Sequence, residues 1–106
     1  MDITYKNIDD FVIACLRGEL DEFTAEHVRL SLDKILGEMQ QAGIKKLVLD
    51  FSLVSFMDST GIGVLLARYN KFNKYGLSIL IKNANGHIDK ILNMSGIYKL
   101  MPKLAN

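Results

Sequence analysis

Residues 47–63 read Leu47-Val48-Leu49-Asp50-Phe51-Ser52-Leu53-Val54-Ser55-Phe56-Met57-Asp58-Ser59-Thr60-Gly61-Ile62-Gly63. Leu47-Val48-Leu49 is short, continuous and apolar, the pattern of a strand covered on both faces. From Ser55 to Gly63 small polar residues and two glycines separate that run from the next. Beyond them Ile62, Leu65, Leu66, Tyr69 and Phe72 recur at helical spacing, and Gly76 closes the helix. The stretch is therefore a strand, a loop at its carboxyl end and the start of a helix.

The same grammar extends in both directions. Upstream, Ile3-Thr4-Tyr5-Lys6 alternates like an edge strand. The turn-rich Asn7-Ile8-Asp9-Asp10 hands it to the apolar run Phe11–Leu16, which makes a hairpin. Gly18-Glu19-Leu20-Asp21 leads to Thr24, an expected N-cap, with Phe23 placed to staple onto Val28. Val28, Leu32, Ile35, Leu36 and Met39 form one buried helical stripe that stops at Gly43. Downstream, Leu77–Ile81 is another strand. Ile88, Ile91 and Leu92 mark a third, shorter helix ended by Gly96, and a brief apolar run, Ile97–Leu100, follows. Strands alternating with helices imply right-handed crossovers and an α/β fold: a mixed central sheet of four to five strands, parallel in its middle, with helices packed against it.

A chain of 106 residues falls within the range of a single domain, here residues 1–106. The net charge of +1, with lysines scattered among carboxylates, gives no basic face for nucleic acid. No leader and no apolar run of the ~18 to 20 residues needed to span a membrane is visible, so a cytoplasmic protein without a membrane partner is expected. Cys15, alone and within an apolar run, reads as a buried structural thiol.

Three chemistries can be weighed for Asp58-Ser59-Thr60-Gly61. Asp58 or Ser59 can simply cap the helix. Yet Gly61 and Gly63 each cost about 0.8 to 1 kcal/mol against alanine in a helix, which asks for a reason such as close approach by another molecule. The free amides of a helix start also suit an anion, so a phosphate on a hydroxyl there is compatible with the fold. Catalysis by Ser59 lacks the elbow glycine, since Met57 stands two positions before it. The only histidines, His27 and His87, lie at helix starts. No phosphate-binding glycine loop and no metal-ligand spacing occurs, so no cofactor, no metal and no enzymatic activity is expected. Asp50 is the rival, as a phosphoryl-accepting aspartate of receiver type. Its companion acidic pair, Asp9-Asp10, precedes its own strand and belongs at the opposite end of the sheet, which leaves a polar strand end as the simpler role.

Met57-Asp58-Ser59-Thr60-Gly61-Ile62-Gly63 resembles the phosphorylation motif of bacterial anti-sigma factor antagonists, the STAS-domain family. The resemblance extends to Gly18–Asp21, to Ala67-Arg68-Tyr69 and to Asn93-Met94-Ser95-Gly96, nearly the whole chain in order. It is nearest to the sporulation branch, with the general-stress branch next. The resemblance implies the STAS fold and a non-enzymatic switch that binds an anti-sigma factor, itself an ATP-dependent serine kinase, and so frees a sigma factor. It implies that Ser59 is the phosphorylated hydroxyl, that Asp21, Asp58, Thr60, Gly61, Ile62 and Gly63 face the partner, and that a metal-dependent serine phosphatase resets the switch. Thr60, inside the first turn, is expected to be less accessible than Ser59. A STAS regulatory module serving a stress-signalling complex would keep the phosphosite and change the partner. Family members carry a further C-terminal helix, which the ending Pro102–Asn106 leaves short or missing.

Overall fold

The computed structural model describes residues 1–104. The chain runs β1 (Asp2–Ile8), β2 (Phe11–Leu20), α1 (Ala25–Ala42), β3 (Lys46–Met57), α2 (Ser59–Lys74), β4 (Ser78–Lys82), α3 (Gly86–Met94) and α4 (Ile97–Leu100). The strands lie in the order β1-β2-β3-β4, with β1 antiparallel to β2 and the other two pairings parallel. This is the mixed sheet expected from the pattern. The hairpin between β1 and β2 turns on Asp9, whose φ of 53° is one that aspartate tolerates better than most residues. The end of α1 is set by Gly43 at φ 70°. Its N–H reaches the Gln40 carbonyl, and the Ile44 N–H reaches the Met39 carbonyl, satisfying acceptors that a helix terminus leaves open.

The helices cover one face of the sheet. Val12, Ala14 and Leu16 of β2, Leu47, Leu49 and Phe51 of β3, and Ile79 and Ile81 of β4 join one core with Val28, Leu32, Ile35 and Met39 of α1 and Leu65 and Phe72 of α2. The alternate strand positions point the other way, as the period of two requires. Coverage of β3 on both faces, expected from Leu47-Val48-Leu49, is therefore not what buries Val48. Val48 is 1% exposed yet lies outside that core, because its register partners Ile13 and Leu80 flank it on the helix-free face. Cys15 shares this open face and is half-buried, so it is not the core thiol that its apolar neighbours suggested.

Beyond α4 the chain adds no helix among the described residues. Ile81 donates its N–H to the Pro102 carbonyl at 3.0 Å and accepts from the Leu104 N–H at 2.7 Å, forming a one-residue parallel bridge on the outer edge of β4. Four strands and the stub of a fifth result. Of the ending Pro102–Asn106, read as leaving the family's further C-terminal helix short or missing, Ala105 and Asn106 lie outside the described residues. Lys103 of the stub pairs with Asp89 of α3 at 2.8 Å, and the Tyr98 hydroxyl donates to the same carboxylate at 2.5 Å.

One ion network ties α1 to α2. Asp33 accepts from Arg68 and stands 3.2 Å from Lys71 and 3.6 Å from Arg29. Arg68 is 9% exposed and its Nε has no partner among the described residues, so the guanidinium depends on Asp33. Burial on its own would raise the Asp33 carboxyl, but Lys71 and Arg68 outweigh it and hold the group below its ordinary value. A depressed carboxylate contributes stability that is present above its unfolded pKa of about 3.9 and is lost as pH falls through the lower folded value. Asp33→Asn is therefore expected to cost about 1–3 kcal/mol at pH 7, since it strands a largely buried cation whose partner is partly exposed. Urea unfolding at pH 7 and pH 3 checks this, and the gap between the two proteins should narrow at the lower pH.

Candidate functional site

Three loops meet at the carboxyl end of the parallel strands. Leu20, the last residue of β2, pairs with Met57, the last of β3, and the Asp58 N–H donates to the Leu20 carbonyl at 3.4 Å. This contact brings the start of α2 beside the segment that enters α1. At the third loop the Asn85 side chain accepts from the Ile88 N–H at 3.1 Å and donates to the Val54 carbonyl at 3.0 Å, so it caps α3 and fastens that helix to β3. Asn85 thereby fixes the entry to α3 beside β3, a role not read from the sequence. An asparagine three residues before the first apolar residue of a helical stripe is the signal that would have found it.

β3 is longer than its apolar run. The loop assigned from Ser55 onward is strand as far as Met57, and the ladder with β2 slips twice, between Cys15 and Arg17 and between Gly18 and Glu19. Such bulges twist and bend a strand near functional ends. They also hide alternation, which is why the segment does not read as strand. At the first slip the Ser52 N–H turns to Asp50 Oδ1 at 2.9 Å. Asp50 therefore lies within β3 and not at a strand end. Burial alone would raise its carboxyl, but the Ser52 amide, Asn83 and Lys82 outweigh it and keep it below its ordinary value. No cluster of three metal-ligating side chains accompanies it, or occurs elsewhere, among the described residues.

Asp58 takes the extended N-cap conformation, and its Oδ1 accepts from the N–H groups of Thr60 at 3.0 Å and Gly61 at 3.2 Å. Ser59 opens the helix, is exposed, and makes no hydrogen bond through its hydroxyl among the described residues. Thr60 is exposed as well, so both hydroxyls of the first turn are open to solvent. Neither His27 nor His87, both exposed, hydrogen-bonds to Ser59, so no base is in place to activate the hydroxyl.

The two glycines turn out to answer different needs. Gly61 is buried, and a Cβ there would stand 2.7 Å from the Leu20 carbonyl oxygen and 2.8 Å from Met57 Cγ. The close approach inferred for it is made by the protein's own β2, not by another molecule. Gly63 is exposed and a Cβ on it would meet nothing within 4 Å. It borders a shallow groove of about 390 Å³ between Ala25, Glu26 and Arg29 of α1 and Thr60, Gly63 and Ala67 of α2. Ile62 is half-buried against the core.

Asp21 is 8% exposed and works within its own loop. Its Oδ1 accepts from the N–H groups of Phe23 at 2.9 Å and Thr24 at 3.2 Å, while its N–H donates to Thr24 Oγ1 at 3.1 Å. The Thr24 hydroxyl donates to the Glu19 carbonyl at 2.8 Å and caps no amide of α1. The expected staple is likewise absent. Phe23 stands 87% exposed and Val28 is buried without it.

The site thus presents a free serine hydroxyl at a capped helix start, next to a rigid turn and a shallow groove. It can receive a group or dock a surface, and it holds no catalytic constellation among the described residues. A family model for the STAS domain matches residues 2–106. An anti-sigma F factor antagonist from Paenibacillus polymyxa is 36% identical over 95 residues, covering 90% of this chain and 79% of that one. An anti-sigma-B factor antagonist from Staphylococcus epidermidis is 29% identical over 93 residues, covering 88% and 82%. Among solved structures, the anti-sigma factor antagonist SpoIIAA in its unphosphorylated form matches with a TM-score of 0.75 and 24% identity, over 99% of this chain and 90% of that one.

Proposed function

The chain belongs to the STAS-domain family and is an anti-sigma factor antagonist, and from that premise we propose that a phosphate on Ser59 controls it. In this reading the unphosphorylated protein binds an anti-sigma factor that is an ATP-dependent serine kinase, and a sigma factor is released. The kinase then phosphorylates Ser59 and the complex separates, until a serine phosphatase removes the ester. The observation that carries the reading is the exposed hydroxyl of Ser59 at the mouth of α2, unpartnered among the described residues. A kinase can bring a phosphoryl group within reach of it without moving the fold.

The electrostatics support a change in binding and not in folding. Phosphorylation adds about 1.5 to 2 negative charges. The Thr60 and Gly61 amides are already taken by Asp58 Oδ1, so the new phosphate finds those helix donors occupied and a carboxylate beside it. It remains directed at solvent, where the helix dipole offsets roughly 0.3 to 1 kcal/mol of the repulsion. At an interface the same group loses its water, and an uncompensated charge there costs several kcal/mol.

Incubation with the anti-sigma factor kinase and ATP, followed by intact mass and peptide mapping, tests the assignment. One phosphate is expected on the wild type and on Thr60→Ala, and none on Ser59→Ala. Incorporation into Ser59→Ala at the wild-type rate would contradict it. Gly63 offers a second check. Gly63→Ala is expected to raise stability by about 0.5–1 kcal/mol, because nothing crowds the added methyl and a helix interior favours alanine. Gly63→Leu should fold as well and fill the groove beside Thr60, weakening kinase binding in a calorimetric titration.

A further inference from the structure

We infer that Phe23 is a principal anchor for the anti-sigma factor, an aromatic knob on a fixed backbone that enters an apolar pocket of the kinase beside the Ser59 contact. The inference rests on the kinase-binding reading given above.

Isolated exposed apolar residues are ordinary on protein surfaces, and exposure alone assigns Phe23 nothing. Its support is what distinguishes it. The Phe23 N–H is held by the buried carboxylate of Asp21 at 2.9 Å. The same oxygen holds the Thr24 N–H, and Thr24 Oγ1 closes the turn on Asp21 and Glu19. A buried carboxylate is thus spent on a four-residue turn whose most prominent product is one outward phenyl ring, 87% exposed. Other large apolar residues are exposed, among them Leu30, Leu53, Phe56 and Met94 on regular helix or strand and Tyr75 at the end of α2, but among the described residues none of their amides is held by a carboxylate side chain. A ring presented on a fixed backbone has only two side-chain torsions to order on binding, which is the property of interface anchors.

Position completes the argument. Phe23 lies three residues past Leu20 and Ser59 two past Met57, and Leu20 pairs with Met57. At about 3.6 Å per residue and about 5 Å between strands, the two Cα atoms lie within roughly 25 Å of each other. A standard interface of about 800 Å² per partner is roughly 30 Å across, so the two positions are close enough for one docked protein to reach both. The construction also explains why Asp21 belongs to the motif while hidden: it positions the anchor.

Calorimetric titration of the purified kinase, with its nucleotide bound, tests this using the wild-type chain and four variants. Phe23→Ala is expected to weaken binding 10- to 100-fold with an unchanged melting temperature, because the ring has no place in the core. Phe23→Tyr should stay within threefold of wild type, and Asp21→Ala, which removes the oxygen that accepts from the Phe23 and Thr24 N–H groups, should weaken binding through a loosened turn. Ser59→Asp reports on the switch independently. Binding of Phe23→Ala within twofold of wild type overturns the anchor, even if Ser59→Asp fails to bind and the switch stands. Loss of affinity in Phe23→Ala with none in Ser59→Asp supports the anchor and removes the switch. No binding by the wild-type chain removes both.

Discussion

Ser59→Asp is expected to bind the anti-sigma factor kinase at least about 100-fold more weakly than wild type, while Ser59→Ala binds as wild type and resists release by ATP. A hundredfold corresponds to about 2.7 kcal/mol. Desolvation of one uncompensated carboxylate at a closed interface supplies several kcal/mol, so the figure is a lower bound. The methyl of alanine replaces a hydroxyl that has no partner within the described residues, and its removal leaves no donor or acceptor stranded. Both variants should melt close to wild type. The Asp58 cap that secures the helix start is untouched, and Ser59 itself contributes no internal hydrogen bond. A new carboxylate beside Asp58 adds a repulsion that solvent screens at this exposed position.

Gly61→Ala, two positions away, is expected to act on the fold instead. Its Cβ would come within 2.7 Å of the Leu20 carbonyl oxygen and 2.9 Å of Leu20 Cγ. The nearest atom is backbone at the end of β2, which cannot rotate aside, so the first turn of α2 and the β2 terminus must part. Overpacking of this kind costs about 1–3 kcal/mol, more where backbone must move. The helix-propensity gain of alanine, about 1 kcal/mol, offsets part of it. A net loss of about 2 kcal/mol is expected, which lowers the melting temperature by roughly 8 to 16 °C in a domain of this size. Gly61→Val should lose more. Read beside the stabilisation expected for Gly63→Ala, the pair separates two glycines of one motif: the first serves internal packing, the second leaves the surface bare.

That separation marks where the sequence is legible and where it is not. The stripes Val28–Met39 and Ile62–Phe72 and the glycine stops appear as read, because helical periodicity and left-handed caps are local properties. The parallel centre and antiparallel edge follow from the order of elements. The side of the sheet on which the helices pack is not local, and Val48 and Cys15 were misjudged for that reason: each is apolar in context, yet the covering comes from neighbouring strands. The bulges of β3 displaced its alternation and made Ser55–Met57 look like loop. In the site, residue type and position narrowed the cap to Asp58 or Ser59, and the structure gives it to Asp58. The internal packing against Gly61 depends on the β2 terminus meeting α2, a contact between residues some forty positions apart.

The relation between charge at Ser59 and docking is most directly read by titrating the kinase with two preparations of the wild-type chain, one unmodified and one stoichiometrically phosphorylated on Ser59, in a calorimeter under identical salt and nucleotide. The unmodified chain should bind tightly, and the phosphorylated chain should bind at least about 100-fold more weakly. Equal affinities for the two preparations would contradict the account.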